Sequence, residues 1–313
     1  MRILYGINGT GNGHLTKSLR VVGALESRGH SVDTLVSGMN GNVPAGRRID
    51  HKLKGFTFAY RSGSIDMVRT LMRSDLVRFI RDIGIDLSSY DRVITDFEPV
   101  TAWACKVAGR ECTGISHQAA FLCGATPRPR RRSLMQEAFM RLFAPVTRHA
   151  GIHFNRYCSS VYPPILRHIP AAVPANLGHA TVYLPGRDHA ALVSHFARMG
   201  VETHLFSAGT PGRRGCVWSR PLEMLSFQES MSTCDLVVTA GGFETPAEAL
   251  AMGKRLIVVP IGGHYEQACN AEALSRMGVR VCRDLASLRD LSCDLVDYVW
   301  DDPVDEILSD LGF

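Results

Sequence analysis

Short apolar segments alternate with longer helix-like segments along nearly all of the 313 residues of the chain. The short segments have the length and composition of buried strands. Such alternation is typical of a parallel sheet covered by helices, so the sequence predicts an α/β fold. Two series of strands are predicted, one at Arg2–Ile7, Ser31–Val36, Phe56–Tyr60, Arg92–Thr95, Cys112–Ser116 and Gly151–Phe154, and one at Thr181–Leu184, Thr203–Phe206, Leu236–Thr239 and Arg255–Val259.

A proline-rich stretch separates the two series. It holds Pro163, Pro164, Pro170 and Pro174. Prolines at this density prevent one continuous helix or strand, and the chain is long enough for two domains of ordinary size. We therefore predict two Rossmann-like domains, residues 1–174 and residues 175–313. The final helical segment, Pro303–Leu311, is expected to pack back on the first domain.

The composition gives no sign of a membrane-spanning, secreted or zinc-binding chain. No apolar run approaches the ~20 residues that span a bilayer. The first residues resemble a strand, whereas a signal peptide would need a longer apolar region. The nine cysteines are scattered without C-x-x-C pairs. We therefore expect reduced thiols, no metal site and a cytoplasmic protein.

A glycine-rich turn follows the first predicted strand, where residues 9–14 read GTGNGH. Gly11 and Gly13 allow the backbone to approach a phosphate, and the N-terminus of the following helix favours an anion. A dinucleotide-binding fingerprint would need glycine at His14. An imidazole at this edge of the sheet suits a general base, although it equally suits a local cap of the helix.

Two further polar residues stand at the ends of predicted strands. Asp96 follows the fourth strand, and His117 follows the fifth. A carboxylate in this position can orient a catalytic histidine, which makes Asp96 a candidate partner for His14. Asp96 is also well suited to cap the helix that begins near Glu98. His117 is predicted to face the same cleft on its acceptor side.

The strongest local signal lies in the second half, where residues 239–250 read TAGGFETPAEAL. Gly241 and Gly242 follow an apolar strand and are predicted to open a helix, so free amides and the helix dipole favour a phosphate there. Thr245 adds a hydroxyl to this turn. Glu248 lies one turn further along the helix, within reach of a ribose.

The next predicted strand ends in a second signal, GGHYEQACNA at residues 262–271. Glu266 and Gln267 combine hydrogen-bond acceptors and donors that suit several sugar hydroxyls. A solvated first turn of a helix has the same composition, so this pair is ambiguous when taken alone.

Together the two segments, GGFETPAE and then EQ and NA two residues apart, resemble the donor-binding signature of inverting GT-B glycosyltransferases. They are similar to those of the N-acetylglucosaminyltransferases that complete the peptidoglycan lipid precursor and of the UDP-glycosyltransferases. The turn ending in His14 fits the same superfamily. The resemblance implies two Rossmann-like domains whose mainly parallel sheets face a central cleft, with the acceptor on the first domain and the sugar nucleotide on the second.

The resemblance also implies roles for single residues. His14 would be the general base with Asp96 as its partner, and His264 would lie near the phosphates. The implied donor site consists of Gly11, Gly13, Gly241, Gly242, Thr245, Glu248, His264, Glu266 and Gln267. One departure concerns residues 184–188, which read LPGRD where the family often has a Gly-Gly-Ser type turn; Arg187 is the candidate phosphate contact there.

The implied reaction is a single displacement that inverts the anomeric carbon, with UDP as the favoured nucleotide. No Asp-x-Asp motif is present, and a helix dipole can replace a cation beside the leaving diphosphate. We therefore expect no metal and no cofactor other than the sugar nucleotide.

The net charge of +5 is uneven, because four arginines precede an amphipathic segment at Leu134–Phe143. A basic rim beside an apolar helix suits an anionic membrane and a lipid-linked acceptor. It equally suits a nucleic-acid backbone, with sugar transfer to modified bases of DNA. The third interpretation is a solvated loop beside a core-facing helix. The arginines are Arg128, Arg130, Arg131 and Arg132.

Two other functional classes use the same scaffold. A sugar-nucleotide epimerase would act on the donor alone, and a nucleotide-binding accessory protein would lack catalysis. The presence of His14, Glu248 and Gln267 together favours a glycosyltransferase over both.

Overall fold

The computed structural model describes residues 1–9, 12–38, 49–55, 60–61, 64–65, 76–166 and 176–313. The chain divides into two compact units. The first comprises Met1–Thr126, Arg132–Arg167 and Asp301–Phe313, and the second comprises Pro127–Arg131 and His168–Trp300. The predicted boundary at residues 174 and 175, Gly11 and most of the predicted strand at 56–60 lie outside the described residues.

The first unit is built on a seven-stranded sheet whose strands are all parallel. In spatial order these strands are β3 (His51–Leu53), β2 (Ser31–Ser37), β1 (Arg2–Asn8), β6 (Arg92–Asp96), β7 (Thr113–Ser116), β8 (Arg148–Ile152) and β9 (Val161–Tyr162). A separate antiparallel pair consists of β4 (Tyr60–Arg61) and β5 (Ser64–Ile65).

The described helices of this unit are α1 (Asn12–Ser27), α2 (Leu76–Asp82), α3 (Pro99–Val107), α4 (Leu134–Phe143), the last helix α9 (Val304–Asp310) and a 3₁₀-helix at Gln118–Leu122.

β1 lies in the interior of this sheet because its side chains are apolar on both faces. Ile3, Leu4 and Ile7 are fully buried, as expected for a parallel strand covered by helices on both sides. β1 pairs with β2 on one side and β6 on the other, and this register places Ile7 beside Asp96. The carboxyl ends of β1 and β6 therefore lie together at one edge, where α1 begins.

The last helix packs on α1 within the first unit. The Arg28 guanidinium donates to the Phe313 carbonyl at 2.9 Å and pairs with Asp305 at 2.8 Å. Arg20 pairs with Asp302. These contacts join the end of the chain to the helix that carries His14.

The second unit has its own seven-stranded sheet, in which one edge strand is antiparallel and the rest are parallel. In spatial order the strands are β12 (Gly212–Arg214), β13 (Val217–Arg220), β11 (Thr203–Phe206), β10 (Ala180–Tyr183), β14 (Leu236–Thr239), β15 (Arg255–Val258) and β16 (Arg280–Val281). Its described helices are α5 (His189–Ala197), α6 (Met224–Thr233), α7 (Glu244–Ala251), α8 (Tyr265–Arg276) and a 3₁₀-helix at Leu285–Ser287.

The prediction of an α/β fold with two mainly parallel sheets is confirmed. Most predicted strands end within one or two residues of the observed ones. β8 begins three residues before the predicted strand, because Arg148 and His149 interrupt the apolar pattern. In the described part of the chain, no helix has the length and apolar character needed to cross a membrane.

Candidate active site

Three side chains of α1 converge on one carboxylate at the end of β6. His14 Nδ1 lies 3.1 Å from Asp96 Oδ1, and Lys17 Nζ lies 2.9 Å from the same oxygen. Ser18 Oγ donates to the other oxygen, Oδ2, at 2.9 Å. Residues three and four apart share one helical face, so the first turns of α1 present all three groups to Asp96.

The cluster is buried except for its histidine. Asp96 is fully buried and the Lys17 side chain is 1% exposed, whereas the His14 side chain is 19% exposed. Burial by itself raises the pKa of the Asp96 carboxyl, but the charge of Lys17 and the interaction with His14 outweigh it and lower that pKa to about 2. Asp96 is therefore a carboxylate throughout the neutral pH range.

His14 is not the cap of its helix, since α1 begins two residues earlier at Asn12. Its Nδ1 contact with Asp96 has the length of a hydrogen bond but not the direction of one. The position of Nδ1 against the carboxylate leaves Nε2 as the ring nitrogen that can meet another molecule. Gly13 lies in the first turn of the same helix.

Glu98, and not Asp96, caps α3. Its carboxylate accepts from the backbone N–H groups of Val100 and Thr101, both at 2.7 Å. The chain reaches α3 through Phe97, a non-glycine residue in the left-handed region with φ of 54°. This conformation costs free energy in a bulky residue, and it directs the two neighbouring acids to different helices. Asp96 is thereby free to face α1.

Gly6 makes room for this cap. A Cβ at Gly6 would lie 2.2 Å from Thr101 Oγ1 and 2.9 Å from Glu98 Oε2. No side chain larger than hydrogen fits there, so α3 can approach β1 closely. No motif in the sequence singles out Gly6 or Lys17.

The structure places His117 inside an aromatic cluster. The residue is buried, and its Nδ1 donates to the Ile152 carbonyl at 2.9 Å. Its ring centroid lies 4.9 Å from that of His153 and 5.3 Å from that of Phe121. His117 is therefore buried, between two residues that line a cavity, and its predicted acceptor-side role stays a prediction.

That cavity, of about 410 Å³, lies within the first unit between the sheet and α4. Its wall contains Thr95 and Phe97 on either side of Asp96, and Ser116 and Gln118 on either side of His117. Apolar side chains such as Met140 form much of the rest. The sequence did not predict this cavity, because it depends on which side chains α4 and the sheet bring together.

In the second unit the first donor segment forms a loop that precedes its helix. α7 begins at Glu244, two residues later than predicted, and the Phe243 carbonyl accepts from the Ala247 N–H at 3.2 Å. Glycine is a poor helix former, which explains why Gly241 and Gly242 remain in the loop. Thr245 lies in the first turn. Glu248 is buried one turn later.

Asn270 holds the two donor segments together. It is fully buried, and its Nδ2 donates to the Gly241 carbonyl at 3.0 Å. A Cβ at Gly241 would lie 2.8 Å from the Gln267 carbonyl oxygen, so only glycine fits this contact. The loop after β14 is therefore fixed against α8 by the protein itself.

The second donor segment forms the N-terminus of α8. His264 is the N-cap, and its Nδ1 accepts from the Gln267 N–H at 3.4 Å. The Gln267 side-chain oxygen accepts from the Ile261 N–H at 2.9 Å, so its amide nitrogen is the group that remains for a ligand. Glu266 is partly exposed in the first turn.

Two further side chains lie near the carboxyl ends of β10 and β11. Arg187, in the turn after β10, donates to the Pro260 carbonyl at 3.4 Å, which places it beside the loop that follows β15. Phe227 packs against Tyr183 and Phe206 with centroid distances of 5.6 and 5.1 Å.

The four arginines have different surroundings. Arg128 is buried, Arg130 and Arg131 are exposed, and Arg132 forms a two-pronged pair with Glu137 at 3.2 and 3.1 Å. The four arginines therefore do not form one continuous basic patch on the surface.

The apolar residues of α4 are divided between the core and the surface. Phe143 is buried, but Leu134, Met135 and Leu142 are 76%, 67% and 58% exposed. Arg141 is exposed on the same helix.

All nine cysteines carry free thiols, five of them buried. Across the described ranges, no three His, Cys, Asp or Glu side chains are grouped as metal ligands would be.

Comparison with known proteins identifies the family. The sequence model of glycosyl transferase family 1 matches residues 1–298. The chain belongs to this family. No curated protein matches this glycosyltransferase in sequence.

Solved structures similar to the glycosyltransferase have the GT-B fold. SsfS6 from Streptomyces sp. SF2575, complexed with thymidine diphosphate, has 16% identity and a TM-score of 0.62, covering 92% of this chain and 90% of its own. The spinosyn forosaminyltransferase SpnP has 16% identity and a TM-score of 0.58, with 92% and 88% covered. MurG from Acinetobacter baumannii has 12% identity and a TM-score of 0.52, with 99% and 90% covered. The predicted GT-B glycosyltransferase fold is confirmed.

Proposed function

We propose that this glycosyltransferase inverts the anomeric carbon of a nucleoside-diphosphate sugar and uses His14 as its general base. The observation that carries the proposal is the contact between His14 Nδ1 and the buried Asp96 carboxylate at 3.1 Å. The buried negative charge of Asp96 beside Nδ1 favours the tautomer with its proton on that nitrogen over the one that would place a lone pair against the carboxylate. The lone pair is then on Nε2, which is the atom able to accept a proton from an acceptor hydroxyl.

The reaction is a single displacement. The acceptor oxygen forms a bond to the anomeric carbon and its proton passes to His14 Nε2. The bond from that carbon to the diphosphate breaks, and the leaving group keeps the electron pair. Its growing charge is stabilised by the N-termini of α7 and α8, whose free N–H groups and dipoles favour an anion. No metal or other cofactor enters this proposal.

The donor is bound by the loops after β14 and β15. Gly242 donates its backbone amide to the diphosphate. A Cβ at Gly242 would meet no protein atom within 4 Å, so the protein leaves space beside this backbone for the ligand. Thr245 supplies a hydroxyl, Glu248 binds the ribose, and Glu266 with the Gln267 amide binds the sugar. Support comes from the Asn270 contact, which fixes the loop before a ligand arrives and so lowers the entropic cost of binding.

The nucleotide is a pyrimidine diphosphate, with UDP favoured by the resemblance to UDP-glycosyltransferases. SsfS6 and the spinosyn rhamnosyltransferase SpnG were solved with thymidine diphosphate. Uracil and thymine differ by one methyl group, so the same kind of pocket can receive either.

The acceptor is carried by an anionic membrane and is reached through α4. This helix exposes Leu134, Met135 and Leu142 next to Arg141. Apolar side chains that enter a bilayer surface beside a cation suit membrane docking better than contact with a nucleic-acid backbone, which offers them no apolar partner. The partly apolar cavity of about 410 Å³ lies behind the same helix.

A thermal-shift panel tests the donor assignment. UDP, TDP, ADP and GDP are added at increasing concentration, each with and without EDTA. We expect UDP or TDP to raise the Tm equally under both conditions, because a ligand that binds only the native state stabilises it. No rise with any nucleotide, or a rise abolished by EDTA, would contradict the proposal. NMR of the product from an accepted donor then gives the anomeric configuration, and retention would exclude inversion.

A further inference from the structure

Lys17 is a buried cation in contact with the partner of the proposed base. Its ammonium lies 2.9 Å from Asp96 Oδ1, the oxygen that His14 Nδ1 also contacts at 3.1 Å. A lysine ammonium is strongly hydrated in water, so removing it from solvent is unfavourable unless a counter-charge replaces that water. Asp96 supplies this counter-charge, and Lys17 therefore belongs to the cluster and not to the surface.

A carboxylate that also contacts a lysine ammonium acts differently from one that faces a histidine alone. An unshared Asp96 charge would favour the protonated imidazole of His14. With Lys17 on the same oxygen, that negative charge is already balanced. A second positive charge on His14 would then lie close to the ammonium in a site where little water screens the repulsion.

Other ionisable groups around α1 do not take the place of Lys17. On β1, burial and the Asp96 charge raise the pKa of the Tyr5 hydroxyl well above its ordinary value, so Tyr5 is neutral. At the N-terminus of α3, burial raises the pKa of Glu98, whose oxygens bind Ser37 and Thr101.

Charged groups on β2 and beside α9 have their own partners: Asp33 pairs with Arg2, Asp302 with Arg20 and Asp305 with Arg28. Among the residues the structure describes, Lys17 is thus the ammonium group that contacts Asp96 beside the His14 imidazole.

We propose that Lys17 is a positioning residue that sets the charge state of the base: its ammonium offsets the Asp96 carboxylate and keeps His14 a neutral, proton-accepting imidazole at neutral pH. The inference rests on the proposed role of His14 as general base. It predicts that the charges at positions 17 and 96 move the His14 titration in opposite directions.

The direct test is an NMR titration of the His14 ring in the full chain, with its signal assigned by its loss in His14→Ala. Lys17→Met should move the titration midpoint upward, and Asp96→Asn should move it downward, each by about one pH unit or more. The double variant should return toward the wild-type midpoint. Lys17→Arg, which keeps the charge, should remain closer to wild type than Lys17→Met.

Lys17→Met leaves Asp96 buried with less counter-charge. Should it fail to fold, the double variant still decides, because its midpoint must lie above that of Asp96→Asn. Midpoints that do not move, or single variants that move in the same direction, would overturn the inference.

The pH profile of kcat/KM separates this inference from the proposed function. If its acidic limb follows the NMR midpoints of the variants, Lys17 acts through the base as proposed. If the NMR midpoints move as expected and the acidic limb does not follow, the role of Lys17 in setting the His14 charge is supported, while His14 is not the general base.

Discussion

At the scale of single residues, a buried carboxylate becomes available to a histidine because a different acid caps the neighbouring helix. Glu98 satisfies the first N–H groups of α3, and the left-handed Phe97 between the two acids directs Asp96 toward α1. An acid that also capped α3 would divide its oxygens between backbone amides and His14. Because Glu98 caps α3, both oxygens of Asp96 are left to contact side chains of α1.

Substitution of His14 by alanine tests the base at this scale. His14→Ala should lower the rate of transfer by about 10²- to 10⁴-fold, the usual contribution of general-base catalysis. The nucleotide-induced rise in Tm should remain, because the donor loops belong to the second unit. A variant that kept its transfer rate would show that another group takes the proton. Loss of the nucleotide effect as well would point instead to damage to the fold.

At the scale of elements, the two donor loops are held together by contacts that need no ligand. Asn270 binds the Gly241 carbonyl, and Gln267 both packs on Gly241 and binds the Ile261 N–H. α7 and α8 thereby present their N-termini in a fixed arrangement.

Two neighbouring glycines give a matched pair of variants for this arrangement. Gly241→Ala should lower the Tm by several degrees, because its Cβ would lie 2.8 Å from a backbone oxygen. Gly242→Ala meets open space in the protein and should leave the Tm nearly unchanged. In nucleotide titrations, Gly242→Ala should weaken binding through its methyl group beside the diphosphate. Equal Tm values for the two variants would contradict the assigned contact.

A second element-scale feature is a pair of histidines on adjacent strands β10 and β11. The rings of His179 and His204 are stacked with centroids 4.0 Å apart, and both contact Ser230 Oγ, at 3.3 and 2.9 Å. Burial is the main reason that the pKa of His204 is lowered to about 4, with the neighbouring His179 adding to it. Burial also lowers the pKa of His179.

This pair predicts a pH dependence of stability. The unfolded chain takes up a proton on His204 near the ordinary pKa of 6.5, whereas the folded chain does so only near 4. The unfolded state therefore binds more protons in this window, and the free energy of unfolding should fall as the pH drops from about 6.5 to about 4. Urea unfolding at several pH values measures this fall in the free energy of unfolding. His204→Gln should flatten the slope, and an unchanged slope would exclude the pair as its source.

At the scale of the whole molecule, α4 is the surface that we propose for docking on the membrane that carries the acceptor. α4 combines exposed apolar side chains with an exposed arginine and covers the cavity of the first unit. Burial of such side chains in a bilayer surface stabilises the bound state in proportion to their apolar area, and anionic lipid adds attraction to the cation.

Vesicle co-sedimentation tests this surface. The protein should bind vesicles that contain phosphatidylglycerol more strongly than vesicles of phosphatidylcholine alone. Leu134→Gln with Leu142→Gln should reduce that binding several-fold and leave the thermal shift with nucleotide unchanged, since both leucines are exposed. Val107, 69% exposed on α3 in the same unit, provides a matched control as Val107→Gln. Binding to DNA but not to vesicles would instead favour a nucleic-acid acceptor.

The sequence alone predicted the two α/β halves and most of their strands, because strand length and apolar alternation are local properties of the chain. It missed β3, β5, β9, β12 and β16, which have two or three residues each. Strands this short contain no periodic pattern and form only because a neighbouring edge offers hydrogen bonds. α7 begins two residues later than the phosphate-binding motif predicts, because glycine is unfavourable in a helix and leaves Gly241 and Gly242 in the loop.

For the candidate site, the sequence singled out the residue types that follow strands, and from these came His14, Asp96 and the two donor segments. Only the tertiary structure determined that Glu98 caps α3, that Lys17 shares the Asp96 carboxylate and that Asn270 joins the donor loops. The last two depend on contacts between residues distant along the chain, and the cap depends on the left-handed Phe97, which places Glu98 and not Asp96 at the start of α3. The physical reason is that local sequence sets backbone preference, whereas the charge, burial and partners of a side chain are set by the elements that fold against it.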